Sequence, residues 1–295
     1  MVLPVLRIAF TIVVALGIAI LWFFSFQNVA WAEDKPKRVV SIGGSVTEII
    51  YALEEQDRLI ARDATSLFPS QATELPSVGY IRRLSPEGVL SVDPDMIITL
   101  EGAGPPEAVD VLNSAGINLK TIPEIYSEAG IIAKIEGVGE ALDAAEKAKT
   151  IVAAVEKDFD QLAQTTARLN TKKRVLFVLS AASGKILSSG TNTAASAIIG
   201  LAGGENVITA FEGYKALSDE AIITAAPDVI LMMDRGGNHA IDDETLLNHP
   251  AIALTPAAQS KSIVRMDGLY LLGFGPRTAK AALDLSQALY GQETQ

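Results

Sequence analysis

Two tyrosines, each directly after a glycine, are the residues of this chain best placed to do chemistry. Gly79-Tyr80 heads the stretch "GYIRRLSPEGVLSVDPDMII", and Gly213-Tyr214 heads "GYKALSDEAIITAAPDVIL". A free tyrosine titrates near ~10 and is a poor anion at neutral pH. Arg82 follows Tyr80 two residues on, and a positive charge within ~4–6 Å favours the ionised phenol, an anionic oxygen donor. Taken on its residues alone, a Gly-Tyr pair in a loop is first of all a packed turn.

The two stretches are copies of one another. The pattern L-S-x-E-x-x-[LI]-x-x-x-P-D covers Leu84–Asp95 and Leu217–Asp228, with an apolar run after each. Both copies set a glutamate, Glu87 and Glu220, just past a Leu-Ser pair at an expected helix start, where the dipole favours acids in any case. "GYIRRLS" has one residue more than "GYKALS", so Tyr80 and Tyr214 need not point alike. The remaining chemistry is sparse. Cysteine is absent, and the two histidines, His239 and His249, sit in a loop-rich stretch. No G-x-S-x-G, Walker loop or metal-ligand cluster occurs, which speaks against an enzyme.

The elements that must hold these residues alternate short β-rich runs with helical stretches, the pattern of a parallel α/β sheet. "RVVSI", "MIITL" and "LKTI" read as strands, and "SVTEIIYAL" and "PPEAVDVLNSAG" as helices. Then Gly139–Asn170 keeps an apolar spacing of three or four, predicting one helix of roughly 45 Å. The first pattern restarts at "KKRVLFVLS". The expected fold is therefore two homologous α/β lobes with parallel sheets, 36–138 and 171–292, joined by a long helix over 139–170. A ligand cleft lies between the lobes, lined by loops at the carboxyl ends of the strands.

Residues 1–32 carry Arg7, an apolar run from Ile8 to Phe26, and Ala30-Trp31-Ala32 before the charged Glu33-Asp34-Lys35. This is the form of a secretory signal cut after Ala32, although the run also reaches the length of a membrane anchor. Either way the rest of the chain is expected outside the cytoplasm, in the periplasm. Without the signal, 23 basic residues face 35 acidic ones, a net charge of −12. That balance argues against nucleic acid as a partner.

Leader, lobe, long helix and lobe together resemble the helical-backbone class of periplasmic substrate-binding proteins, which feed cobalamin, ferric siderophores or haem to ABC importers. Within that class "GGSVTEIIYAL", "VGYIRRLSPEGVLSVDPDMII", "SSGTNTAASAIIGLAGGENV", "GYKALSDEAIITAAPDVILMMDRG" and "GFGPRTAKAALDL" are similar to the haemin-binding branch. The resemblance implies that Tyr80 ligates ferric haem from the N-terminal lobe and that Arg82 hydrogen-bonds its oxygen. It implies Arg235 of "MMDRGG" over the other haem face, and Glu87 and Glu220 as the acids that dock on arginines of an inner-membrane permease dimer. An outer-membrane haem receptor system would stand upstream. Ferric iron is a hard cation that prefers an anionic oxygen, so the expected role suits the residue. Tyr214, Arg83, Lys215 and Arg277 are candidates for contacts to the porphyrin or its propionates, and His239 for an approach to a haem face. His249 reads as structural. The alternative on the same fold is a carrier of cobalamin or a ferric siderophore.

Overall fold

Val39, Val40, Ser41 and Ile42 are all buried, and a run hidden on both faces belongs in the middle of a parallel sheet. It forms strand β1 (Val39–Ile42) of a computed structural model that describes residues 37–181, 184–234 and 241–291. The expected leader (1–32) lies outside the described residues, and among these no helix is long and apolar enough to cross a membrane.

Gly43, at φ 118°, turns the chain off β1 into helix α1 (Gly44–Ala52), a conformation that favours glycine. Strand β2 (Leu59–Arg62) is followed by a two-stranded hairpin, β3 (Gly79–Tyr80) and β4 (Arg83–Leu84). Then come α2 (Pro86–Leu90), β5 (Met96–Leu100), α3 (Pro106–Ser114), β6 (Asn118–Ile122) and α4 (Glu128–Ala141). The first sheet runs β2-β1-β5-β6, parallel throughout.

Helix α5 (Ala145–Thr166) carries the chain towards the second lobe and corrects the expected single helix over 139–170. Its 22 residues span about 33 Å. The helical pattern does continue upstream, but as α4, and the two meet at a turn over residues 142–144. Asp143 there adopts φ 52°, a left-handed conformation that short polar residues tolerate. Gly139 allows the crossing, since a Cβ on it would come within 2.6 Å of the Ala148 Cβ. Along α5 the buried residues Ala148, Val155, Phe159 and Leu162 form the apolar stripe that packs on the rest of the core.

The second lobe comprises β7 (Arg174–Ser180), β8 (Leu187–Ser189), α6 (Ala194–Leu201), β9 (Glu205–Asn206), β10 (Tyr214–Ala216), α7 (Asp219–Ala225), β11 (Val229–Asp234), α8 (Asp243–Leu247), α9 (Pro256–Gln259), β12 (Ile263–Asp267), α10 (Gly268–Leu272) and α11 (Thr278–Tyr290). Its sheet runs β10-β8-β7-β11-β12, with β9 also on β7. β7, β11, β12 and β9 are parallel, as expected. β8 and β10 are not: they pair antiparallel, β8 on β7 and β10 on β8. β9 pairs with the start of β7, much as β2 pairs with β1, so the β8/β10 pair is what the second copy adds to the repeat. It also carries Tyr214.

Candidate functional site

Tyr80 is placed by its hairpin. Gly79, at φ 101°, opens it, and Tyr80 pairs across it with Arg83. The Ala64 amide donates to the Gly79 carbonyl at 2.7 Å. The Gly104 amide donates to the Ile81 carbonyl at 2.9 Å, and the Leu84 amide to the Gly104 carbonyl at 2.8 Å. The hairpin is thus tied on both sides to loops at the carboxyl ends of β2 and β5. Tyr80 itself is 48% exposed, a large side chain left open to solvent.

The loop after β2 is fixed by Asp63, which is fully buried. Its carboxylate accepts from the Gly43 and Thr65 amides and from the Thr65 and Ser66 hydroxyls, at 2.6–3.0 Å. That clamp leaves Leu67 and Phe68 exposed at the same end of the lobe.

Arg82, at the tip of the hairpin, does not hydrogen-bond Tyr80 among the described residues. Its guanidinium lies over bare Gly102, 3.8 Å from where a Cβ would stand. Its charge acts on Glu124, Tyr126 and, from across the cleft, Tyr214. Tyr214 stands on β10, packed edge-on against Phe177 with ring centroids 6.3 Å apart. Burial pushes its phenol pKa up, against hydrogen bonds from the Ala195 amide and Thr193 and the charge of Arg82. Lys215 turns instead to Phe211, its ammonium 5.2 Å from the ring centroid.

Between the lobes a cavity of about 410 Å³ is walled by Glu124, Ile125 and Tyr126 on one side and Asn192, Thr193, Ser196 and Ala197 on the other. A larger hollow of about 750 Å³ lies elsewhere, beside Lys172, Val229, Lys261 and Ile263. It sits where β7, β11 and β12 begin, whereas ligands of parallel sheets bind at strand carboxyl ends. The inter-lobe cavity is the better site.

Glu124, Ile125 and Tyr126 are cleft residues that sequence reasoning missed. Their signal was available, for they follow β6 at its carboxyl end, where cleft loops belong. Tyr126 packs edge-on against Phe274 of the second lobe, centroids 5.1 Å apart, and burial followed by the Glu124 charge pushes its phenol pKa up.

Arg277, a sequence candidate for a ligand propionate, is engaged elsewhere. Its Nε and Nη2 donate to both oxygens of Glu48 at 2.9 Å, and its guanidinium lies 3.4 Å from the Phe68 ring centroid. Glu48 is only 5% exposed, so this pair is a lobe-to-lobe bolt. A second bolt is Lys134, 1% exposed, which donates to Ser45 Oγ at 3.3 Å, Glu124 Oε1 at 2.8 Å and the Phe274 carbonyl at 2.9 Å. The lobes also touch where Gly44 meets Leu269, a Cβ there lying 2.4 Å from Leu269 Cδ1.

The two glutamates of the repeat occupy matching places. Glu87 is exposed in the first turn of α2, capped by Ser85, whose hydroxyl donates to Glu87 Oε2 at 2.8 Å and holds its pKa down. Glu220 is exposed in the first turn of α7, capped by Ser218. His249 accepts from the Ala251 amide and contacts the Gly184 carbonyl at 3.2 Å. Arg235 and His239 lie outside the described residues.

A family model described as a periplasmic binding protein matches residues 39–269. Among solved structures, the periplasmic haem-binding protein BhuT, in complex with two haems, is 37% identical, with a TM-score of 0.81 over 86% of this chain and 97% of that one. The periplasmic haem-binding protein RhuT from Roseiflexus sp. RS-1, in apo form, is 36% identical, with a TM-score of 0.82 over 86% and 98%. A vitamin B12-binding protein of Vibrio parahaemolyticus is 25% identical over 264 residues, 89% of this chain and 92% of that protein.

Proposed function

Because this chain belongs to the periplasmic binding protein family, substrate-binding transport proteins and not enzymes, we propose that it captures haemin and hands it to an ABC-type importer. Tyr80 supplies the axial ligand. The observation that carries this reading is the half-exposed phenol at the head of a hairpin tied to two cleft loops, with Arg82 and Arg83 beside it. Ferric iron is a hard cation that prefers an anionic oxygen, and displacing the phenolic proton supplies one. That the two solved structures are haem-binding proteins supports the choice of ligand, and Tyr126, Tyr214 and the exposed Leu67, Phe68 and Ile125 supply apolar and aromatic surface. Arg235 contributes from the second lobe. Glu87 and Glu220, one on each lobe, dock on the permease, and residues 1–32 direct export to the periplasm. Adding haemin to the purified protein should shift the Soret band to that of a tyrosine-ligated ferric haem. Tyr80→Ala should abolish that shift, and a variant that still shows the wild-type shift overturns the ligand assignment.

The vitamin B12-binding relative favours a second reading, a cobalamin carrier on the same fold. It requires saturable cobalamin binding with no dependence on the Tyr80 phenol. A competition titration of haemin against cobalamin separates the two.

A further inference from the structure

We propose that Glu124 is a ligand-selecting residue of the cleft, whose carboxyl makes the capture of a carboxylate-bearing ligand take up a proton. The inference rests on the haemin reading, since haemin carries propionate side chains.

Glu124 is unusual in this cleft because it is a carboxyl where an anionic ligand has to fit. Its side chain is 12% exposed and lines the inter-lobe cavity. Oε1 is bound to Lys134, and no hydrogen bond reaches Oε2 among the described residues. Lys134 cannot turn away, for its ammonium donors are shared between Glu124, Ser45 and the Phe274 carbonyl. The carboxyl is therefore fixed in the wall.

The charged and titratable groups facing it are Lys134 from α4, Arg82 from the hairpin, Glu101 from the loop after β5, and Tyr126 on its own segment. Behind Lys134 stands Glu48 of α1 with its partner Arg277, and Tyr214 faces Tyr126 from the other lobe. Burial raises the Glu124 pKa. Lys134 pulls it back, Glu101 adds to the rise, Arg82 opposes it, and the net direction is up.

Arg82 lies over Gly102, the neighbour of Glu101, whose carboxylate accepts from the Glu124 amide at 3.0 Å, so a ligand carboxylate that pairs with Arg82 enters the field of the Glu124 charge. Two carboxylates so placed do not both stay ionised without cost, and the pKa of one rises further. Binding then draws a fraction of a proton from solution. Affinity is highest below the free-state pKa of Glu124 and declines as pH rises through its bound-state pKa. A ligand whose periphery carries neutral amides donates to Oε2 instead and shows no such linkage.

Titration calorimetry of haemin binding at pH 7, in two buffers of different ionisation heat, counts the protons. Wild type should take up more than Glu124→Gln, and this difference is separate from the proton lost when a phenol ligates iron. Glu124→Gln should bind haemin up to about tenfold tighter at pH 8, the factor that one pKa unit represents, with the gap narrowing in acid. Equal proton counts in the two proteins overturn the proposal while leaving haemin binding intact. Should the variant not fold, wild type is compared with haemin and with haemin dimethyl ester, and equal counts for these two overturn it in the same way. If wild type binds no haemin, the haemin reading falls and this inference falls with it.

Discussion

Truncating Arg277 to alanine should loosen the two lobes before it affects anything else. The Glu48 carboxylate is nearly sequestered, and both its oxygens accept from Arg277 at 2.9 Å. At that distance and an effective dielectric near ~20, the gross attraction is about 6 kcal/mol. Desolvation of Glu48 offsets much of it, and the Arg277 side chain is 27% exposed, which screens the pair further. What counts for the variant is the charge left behind. Removing one partner of a buried pair costs about 3–5 kcal/mol, and the partial exposure places this one near the lower bound, about 3 kcal/mol. The guanidinium also stacks on Phe68, worth about another 0.5–1 kcal/mol. In a protein of this size the combined loss of about 3.5–4 kcal/mol lowers Tm by about 7–16 °C, readable in a thermal melt followed by circular dichroism. Replacing Glu48 and Arg277 together by methionines should recover most of the loss, because no buried charge then stands alone. Arg277→Ala melting within about 2 °C of wild type, or the double replacement melting below the single one, refutes the bolt.

Glu87→Ala combined with Glu220→Ala should leave the haemin Soret titration as in wild type and slow haemin uptake into vesicles holding the permease by about tenfold or more. Full uptake by the double variant removes the docking role. Glu55→Gln addresses the α4–α5 junction. Burial alone would raise the Glu55 carboxyl, but Lys147 at 2.8 Å and Arg58 at 3.2 Å outweigh it and hold its pKa down. A depressed carboxylate contributes stability above its unfolded value near ~4.3 and loses it as pH falls through the folded value. Wild type should therefore exceed Glu55→Gln by about 1 kcal/mol in urea unfolding at pH 7, and the two should converge below pH ~4. A gap that persists in acid counts against the charge as its cause.

The repeated L-S-x-E pattern located the two capped short helices and the apolar strands that follow them, because each feature rests on local chemistry, whereas the hairpin at Tyr80 was read only as a turn. Ser85 and Ser218 cap the helices they precede, and the apolar runs after Pro94-Asp95 and Pro227-Asp228 become β5 and β11. The helix break at Asp143 was not legible. Leu142 and Ala144 fit a continuing helix, and only the packing of Ala148 against Gly139 decides that the chain must turn. The β8/β10 pair escaped for a similar reason, since β8 contributes three residues whose place is set by β7 and not by their own periodicity.

Lys134, Arg277 and Glu124 mark the deeper limit. In sequence, Lys134 is an unremarkable lysine in an amphipathic helix, and Arg277 is a free cation beside a glycine-rich turn. Arg277 becomes the partner of a buried acid only where the lobes meet, across 229 residues, and Lys134, which finds Glu124 ten residues away in its own lobe, reaches the other lobe only at the Phe274 carbonyl, 140 residues on. Sequence therefore assigns too many cations to the ligand and too few to the frame. With Arg277 taken up by Glu48 and Lys134 by Glu124, Arg82, Arg83 and Lys215 are the sequence-nominated basic residues among those described that are left near the cleft for an anionic ligand. Arg82 is the one whose charge reaches both lobes. On the proposed haemin reading, the specificity of the cleft then turns on how that one arginine divides its field between the ligand and the carboxyl of Glu124.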